Sequence, residues 1–229
     1  MRLTFVWQDC VVVGSNGTNL LTDPCFPRVR KVISLDDLPR LDAIIVSNSD
    51  IDALSWKPLE PLRKTIPVIA PKGTEKKIGK CGFANVHEVQ SGKAFTIGDM
   101  RVITLPAKSS RDSFGVLFSS AKNAYFAGPT LYFDKMAAIG STYEVDLALL
   151  PIGGRFRGRQ RGVMTPEEAA DAAVRLKAKS VVPIHWHPVR VGESEVRPSG
   201  TPEEFHRVIR ERKLGTRVRV LRPSDAIII

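Results

Sequence analysis

"LDAIIVSNSDIDALS", residues 41–55, decides the fold, because an apolar run leads here into small polar residues and then into a helix-like stretch. The apolar residues 41–46 predict a short buried strand. The asparagines, serines and aspartates that follow favour turns and caps, so they predict a loop at the end of that strand. Polar side chains collected at a strand end mark a candidate functional site, yet this one contains no histidine.

Short strands flank this segment on both sides. Before it, "TFVW" (4–7) and "CVVVGS" (10–15) predict two strands, and Asn16-Gly17 predicts a tight hairpin turn because both central positions need positive φ. After it, strands are predicted at "IPVIAP" (66–71), "GKAFTIGDMRVITLPA" (92–107, a hairpin), "SFGVLFSS" (113–120) and "NAYFAG" (123–128). The glycines of "GSNG" do not match G-x-G-x-x-G, which argues against a dinucleotide-binding loop.

The second half of the chain alternates strands and helices. Strands are predicted at 146–154 and 180–188, and helices at 165–179 and 201–213. Both helices begin with Thr-Pro-Glu-Glu, which predicts a threonine N-cap, proline at the first helical position and a capping box. Strands followed by alternating helices and strands predict an α+β fold of two packed sheets with helices on the outer faces. No linker or low-complexity tract divides the chain, so we expect one domain, 1–229.

Composition narrows the class of protein. With 229 residues and 43% hydrophobic content, the chain is long enough to bury a substantial core. Its three cysteines, Cys10, Cys25 and Cys81, are odd in number and widely spaced, which argues against a disulfide framework or a thiolate zinc site. No apolar run approaches the length of a membrane span, and the first residues do not resemble a cleavable signal. We expect a cytoplasmic protein.

The positive charge predicts an anionic partner. The formal net charge is +10, which attracts nucleic acid, phosphorylated metabolites or an anionic membrane surface alike. The stretch "GGRFRGRQRG" concentrates this charge in Arg155, Arg157, Arg159 and Arg161, at every second position. Guanidinium groups bind phosphate and carboxylate in bidentate fashion, so this stretch is a candidate anion-binding loop. A solvated loop without a ligand is the alternative.

Seven segments, in this order, resemble the metallo-β-lactamase fold: "NLLTDPCF", "LDAIIVSNSDIDALS", "TLPAKSS", "YFAGPT", "DLALLPIGG", "MTPEEAADAA" and "VVPIHW". The resemblance spans about residues 5–190 and is to the branch of small bacterial metal-dependent hydrolases that includes the ascorbate-phosphate lactonase. It implies a metallo-β-lactamase-like αββα sandwich, with two mixed β-sheets, helices on the outer faces and a metal site at one edge between the sheets.

The same resemblance implies that most of the metal ligands are missing. In the family the loop after the 41–46 strand carries His-x-His-x-Asp-His, and further ligands follow in later segments. The seven ligand positions fall here on Asn48, Asp50, Asp52, Ala53, Ser109, Pro129 and His185. Of these, Asp52 and His185 are of the expected type. Whether the chain is an enzyme is therefore open.

The donors at these positions suit zinc poorly. Alanine and proline offer no ligand atom, while the serine hydroxyl and the asparagine amide bind zinc weakly. We therefore expect no cofactor. The oxygen-rich set of Asn48, Asp50 and Asp52, with His185, leaves a single hard divalent metal as an alternative, held by Asp50, Asp52 and His185. Asp52 and His185 could also survive as a polar pair without metal.

Three hypotheses of function follow. The first is a non-catalytic member of the fold, a pseudoenzyme that binds an anionic ligand or partner. The second is a metal-dependent hydrolase, of phosphoester or lactone type, with a remodelled site. The third is a basic nucleic-acid-binding protein or subunit. Inactive subunits paired with active relatives occur in the superfamily that this chain resembles, so a homo- or hetero-oligomer is compatible with each.

Overall fold

The computed structural model describes residues 1–25, 37–49, 59–154, 162–191 and 194–229. Its strands are Arg2–Trp7 (β1), Cys10–Ser15 (β2), Thr18–Thr22 (β3), Ala43–Ile45 (β4), Val68–Pro71 (β5), Val86–Val89 (β6), Ala94–Ile97 (β7), Met100–Pro106 (β8), Phe114–Ser119 (β9), Asn123–Phe126 (β10), Leu147–Pro151 (β11), Ser180–Ile184 (β12), Val189–Val191 (β13), Ser194–Val196 (β14), Arg217–Val218 (β15) and Ala226–Ile228 (β16). Its helices are Glu75–Gly79 (α1), Met136–Thr142 (α2), Pro166–Arg175 (α3) and Pro202–Glu211 (α4).

Two mixed sheets form the centre of the molecule. The first has the strand order β16-β1-β2-β3-β4-β5-β6 and the second β15-β12-β11-β10-β9-β8-β7. In each sheet an antiparallel meander continues into parallel strands. Strands β13 and β14 form a separate antiparallel hairpin. The predicted pair of packed sheets is therefore confirmed.

Three apolar clusters hold these layers together. The central one lies between the sheets, where Phe5 and Val11 of the first sheet pack with Phe118 and Val182 of the second. A second cluster packs α2, α3 and α4 against the outer face of the second sheet. The third packs α1 and neighbouring loops against the outer face of the first. Alternation of side chains along each strand supplies the two faces that this layering needs.

The predicted helix starts and threonine caps are confirmed, while the predicted capping box is complete at α3 and only half formed at α4. At α3 the Thr165 side chain accepts a hydrogen bond from the Glu168 amide, and the Thr165 amide donates to the Glu168 carboxylate, which completes the capping box. At α4 the Thr201 hydroxyl accepts from the Glu204 amide at 3.2 Å. Each cap satisfies backbone donors that an α-helix leaves without an intrahelical partner.

The predicted element ends are partly wrong. The helices end at Arg175 and Glu211, a few residues before the predicted 179 and 213. The strand predicted at 180–188 ends at Ile184, because His185 adopts a left-handed backbone conformation with φ of 57°. A residue in that conformation cannot continue a strand, so the segment turns there.

Helices α3 and α4 are each followed by a lysine at the position where glycine is usually favoured. Lys177 and Lys213 both have φ of 51°. The following amides, of Ala178 and Leu214, donate back to Ala173 and Ile209, as in a Schellman motif. A side chain in the left-handed region costs conformational energy that glycine avoids. Both helices therefore end on a strained lysine.

Among the helices of the described ranges, none has the length and apolarity needed to cross a bilayer.

We predict that Lys177→Gly and Lys213→Gly each raise the free energy of unfolding by about 0.5–1 kcal/mol, because glycine removes left-handed strain. Chemical denaturation of the purified variants measures this change. The matched controls are Lys177→Ala and Lys213→Ala, which lose the same charge but keep the strain. Equal stability of the glycine and alanine variants would contradict the explanation.

Candidate functional site

The candidate site lies where the two sheets meet at one edge. The two-residue turn Gln8-Asp9 joins β1 to β2, Asp23 follows β3, and Ser47 follows β4, all in the first sheet. From the second sheet, His185 follows β12. The positive φ of Gln8, Asp23 and His185 turns the chain at three of these four places.

His185 is paired with a carboxylate that sequence reasoning did not select. Its Nδ1 lies in hydrogen-bonding contact with Asp9 Oδ2. Burial lowers the pKa of His185, but the charge of Asp9 and its hydrogen bond outweigh this, so the net pKa lies above the usual value. The other oxygen, Asp9 Oδ1, is buried and has no hydrogen-bond partner among the described residues. The ring of His185 therefore holds its second proton more firmly than a free imidazole does.

A second carboxylate lies close to this pair. Asp23 accepts hydrogen bonds from the amide and the hydroxyl of Ser47, at 2.6 and 2.5 Å. Burial raises the pKa of Asp23 to about 7, and the negative charge of Asp9 adds to the effect, while the Ser47 bonds and His185 oppose it. Asp23 and His185 thus both hold a proton to higher pH than they would in water, and the charge of Asp9 contributes to both shifts.

The turn Gln8-Asp9 also fastens the end of the second sheet. Gln8 Nε2 donates to the His187 carbonyl at 2.7 Å, and the His187 amide donates to Gln8 Oε1 at 3.2 Å. The His187 ring packs on Trp186 and Trp7 with centroid distances of 3.8 and 4.0 Å. Burial lowers the pKa of His187 to about 4, so this ring is neutral and belongs to the packing.

Cys10 behaves as a small buried apolar residue. It follows Asp9 directly and is completely buried in the apolar cluster beneath α1. Burial raises the pKa of its thiol well above the usual value. A thiol held in this protonated state is a weak nucleophile, so Cys10 does not supply one to the site.

Two of the described ligand positions contact each other, and a third lies on a neighbouring segment. Asn48 forms an isolated antiparallel bridge with Ser113, and its Nδ2 donates to Ser109 Oγ at 3.3 Å. Pro129 lies next to Gly128, where an added Cβ would come within 2.5 Å of Ser47 Oγ. The segments that carry Asn48, Ser109 and Pro129 are therefore neighbours in the fold.

Several predicted residues lie outside the described residues. They are Asp50, Asp52 and Ala53 of the first loop and Arg155, Arg157, Arg159 and Arg161 of the arginine stretch.

Two of the described ligand positions do not direct a donor atom at a zinc ion. Pro129 has no donor atom, and the Asn48 amide nitrogen donates toward Ser109, so a cation on that side would be repelled. Although Asp9, Asp23 and His185 are neighbours, the described part of the chain holds no group of three such side chains arranged to bind a metal ion.

Three cations border the site, and we call them the rim cations. Lys77 Nζ donates to the Ser49 carbonyl at 2.9 Å. The backbone of Lys108 is bonded to Thr130, and the Arg111 amide donates to Ser109 Oγ at 3.3 Å. All three side chains are exposed to solvent. They supply positive charge next to Asn48 and Ser109.

A cavity of about 890 Å³ lies elsewhere, on the outer face of the first sheet, where Arg2, Thr4 and Val12 line it with Leu38 and Ile228. It includes none of the predicted site residues. Its lining carries no cluster of catalytic groups, so the edge between the sheets is the better candidate site.

Comparison with known proteins identifies relatives over nearly the whole chain. The family model described as "Beta-lactamase superfamily domain" matches residues 18–186. A protein of Rubrobacter xylanophilus named as a UPF0173 metal-dependent hydrolase is 31% identical, covering 92% of this chain and 89% of its own. One of the same name from Aeropyrum pernix is 26% identical, covering 98% and 96%.

Solved structures share the fold. Igni18, a metallo hydrolase from Ignicoccus hospitalis, matches with a TM-score of 0.79 at 23% identity, over 99% of this chain and 97% of its own. YhfI from Bacillus subtilis, a metallo-beta-lactamase fold protein, matches with a TM-score of 0.77 at 15% identity, over 99% of each chain.

We predict that Asp23→Asn removes the contribution of this carboxyl group to the dependence of stability on pH. The folded protein keeps the Asp23 proton up to about pH 7, whereas the unfolded chain releases it near pH 3.8. The contribution of Asp23 to the unfolding free energy therefore falls as pH rises from about 4 to about 7, whereas that of His187, whose pKa is lowered to about 4, rises. The variant loses only the contribution of Asp23, so its unfolding free energy should gain at least about 1.4 kcal/mol on that of the wild type over this range, the equivalent of one pKa unit.

Urea unfolding at several pH values measures this effect. The exposed variant Asp134→Asn is the matched control and should follow the wild type. An Asp23→Asn curve parallel to that of the wild type would show that Asp23 is already ionised in the folded protein.

Proposed function

The chain belongs to the β-lactamase superfamily, and we propose that it is a member in which a metal-free polar cluster has replaced the zinc centre, serving to bind an anionic ligand. The metallo-β-lactamase fold that the sequence predicted is thereby confirmed, as is the relationship to proteins named metal-dependent hydrolases. What this chain does with that fold is our own inference.

The hydrogen bond between Asn48 and Ser109 carries the proposal. These two positions supply metal ligands in the family that the sequence resembles, and here one side chain donates directly to the other. Two ligands of one cation both direct lone pairs at it, so a donor bonded to an acceptor is the wrong arrangement. Pro129 removes a third ligand.

The contact between Asp9 of the first sheet and His185 of the second also supports a site without zinc. His185 is the one described ligand position of the expected type, and its Nδ1 is engaged with Asp9. An imidazole paired with a carboxylate favours the protonated form, in which both ring nitrogens are donors. That form of His185 suits an anion.

Positive charge around the site selects the ligand class. The rim cations Lys77, Lys108 and Arg111 are exposed, and no ion pair joins them to another described residue. Such groups bind phosphate or carboxylate through charge-assisted hydrogen bonds. The arginine stretch, Arg155 to Arg161, which the sequence marks as a candidate anion-binding loop, lies outside the described residues. We therefore propose a phosphorylated or carboxylated small molecule.

A metal-dependent hydrolase is the second candidate. It is favoured by the relatives that carry this name, one of them 31% identical, and by the buried oxygen Asp9 Oδ1, which has no hydrogen-bond partner among the described residues. Carboxylate oxygens suit a hard cation such as Mg²⁺ or Mn²⁺. The two candidates differ in metal content.

We predict that protein purified without chelator or nickel resin contains well below one equivalent of any transition metal, calcium or magnesium. Plasma mass spectrometry measures this content. If the wild type contains one full equivalent of a divalent metal and Asp9→Asn does not, the metal-free proposal is wrong and the metal-dependent hydrolase takes its place.

We predict further that calorimetric titration with pyrophosphate or a sugar phosphate gives binding that Arg111→Gln weakens about tenfold, since a charge-assisted bond of this strength contributes about 1.4 kcal/mol or more. The matched control is Arg101→Gln, an exposed arginine at the other end of β8. Equal affinity of the two variants, or no binding at low salt, would refute anion binding at the rim.

A further inference from the structure

The two outer helices of the second sheet end side by side. Helix α3 connects β11 to β12 and α4 connects β12 to β15, and these three strands are parallel. Both helices therefore run in the same direction across the sheet, and they pack against each other. Their C-terminal turns lie at the edge where β12 and β15 begin.

Five cations collect at this end of the molecule. They are Arg175 and Lys177 at the end of α3, Arg210 and Lys213 at the end of α4, and Arg217 at the start of β15. All five side chains are exposed, and none forms an ion pair with another described residue. We call this group the basic surface.

Backbone contacts hold the three segments of the basic surface together. The Thr216 hydroxyl donates to the Ala178 carbonyl at 3.1 Å, and the Arg217 amide donates to the Lys179 carbonyl at 3.1 Å. Arg217 lies beside Ser180 in the β12–β15 register. The residues that follow α3 and those that follow α4 are therefore direct neighbours, and their charges form one surface.

Nearby carboxylates do not neutralise this surface. Asp171 is bonded to Arg212 at 2.8 Å, which lies outside the set of five. Asp146 is paired with Lys179 and Lys122. The glutamates of the Thr-Pro-Glu-Glu motifs lie at the other ends of the two helices. Glu211, in the last turn of α4, is paired with Arg207. The five cations therefore have no carboxylate partner of their own among the described residues, and their mutual repulsion is reduced but not cancelled in the free protein.

Helix stability alone does not account for this charge. A cation in the last turn interacts favourably with the helix dipole, which would justify Arg175 and Arg210. Lys177 and Lys213, however, occupy left-handed positions where glycine would be less strained. Arg217 belongs to a strand, where the dipole argument does not apply. A partner with several negative charges explains all five.

We propose that the basic surface binds the phosphate backbone of nucleic acid without reading its sequence. A row of regularly spaced phosphates matches several cations on one rigid edge, and binding releases counterions. A membrane surface is disfavoured because such sites combine basic residues with exposed tryptophan, phenylalanine or leucine. The large apolar residues that are exposed in the described ranges are Val174, Val220 and Ile228.

This surface is separate from the candidate site. Ser180 begins β12 beside the basic surface, and His185 follows the end of the same strand at the site. Five residues of extended chain span about 16 Å. A nucleic acid on the basic surface therefore leaves the rim cations free, and each proposal can fail without the other.

The test measures binding of the full chain to a fluorescein-labelled DNA duplex of mixed sequence by anisotropy, from about 50 to about 200 mM sodium chloride. We expect Lys177→Gln/Lys213→Gln/Arg217→Gln to weaken binding at least tenfold at the lowest salt. The slope of log affinity against log salt should shrink by about 2 to 3, since about 0.9 counterions are released per phosphate contact. The charge-matched control Lys76→Gln/Lys80→Gln/Arg101→Gln removes exposed cations elsewhere and should bind like the wild type.

A second variant separates binding from folding. Lys177→Gly/Lys213→Gly should unfold at higher denaturant concentration than the wild type and still bind the duplex more weakly. The proposal is overturned if the wild type does not bind the duplex at the lowest salt. It is equally overturned if both triple variants lose the same affinity, or if the protein binds phosphatidylserine vesicles and not DNA.

Discussion

The candidate site depends on one contact between the sheets, which joins the turn Gln8-Asp9 to the end of β12. Gln8 bonds both backbone groups of His187, and Asp9 holds the ring of His185. A strand that ended freely there would leave its last polar groups to water and its histidine without a fixed orientation. Because the contact is made by a two-residue turn between paired strands, it is rigid, and His185 is presented in one position between the sheets.

The sequence predicted the strands, helices and layers better than it predicted where each strand and helix ends. Alternating apolar residues and Asn16-Gly17 are local signals, as are the Thr-Pro-Glu-Glu starts, so the strands, the hairpin and the caps followed from short windows. The ends depend on backbone conformation at single residues. His185, Lys177 and Lys213 are not residue types that predict a left-handed conformation, and each one stops an element earlier than its apolar pattern suggested.

The site was only partly predictable for a different reason. The family motif marks the positions where relatives carry ligands, so Asn48, Ser109 and His185 could be named from the sequence. The partner of His185 is Asp9, which lies 176 residues away in the chain. The motif contains no signal for a residue that acts in place of a ligand. Asp23 was visible in "NLLTDPCF", but its raised pKa follows from burial beside Asp9, which only the three-dimensional structure reveals.

The charges of Asp9, Asp23 and His185 depend on one another. Two carboxylates close together at low dielectric repel each other unless a cation or a proton intervenes. In a zinc enzyme the metal supplies that positive charge. Here the pKa of Asp23 is raised to about 7 and that of His185 lies above its usual value, so both side chains retain their protons to higher pH than they would in water. Protons held at Asp23 and His185 reduce the repulsion between the two carboxylates, which is the same electrostatic need that a bound cation would meet.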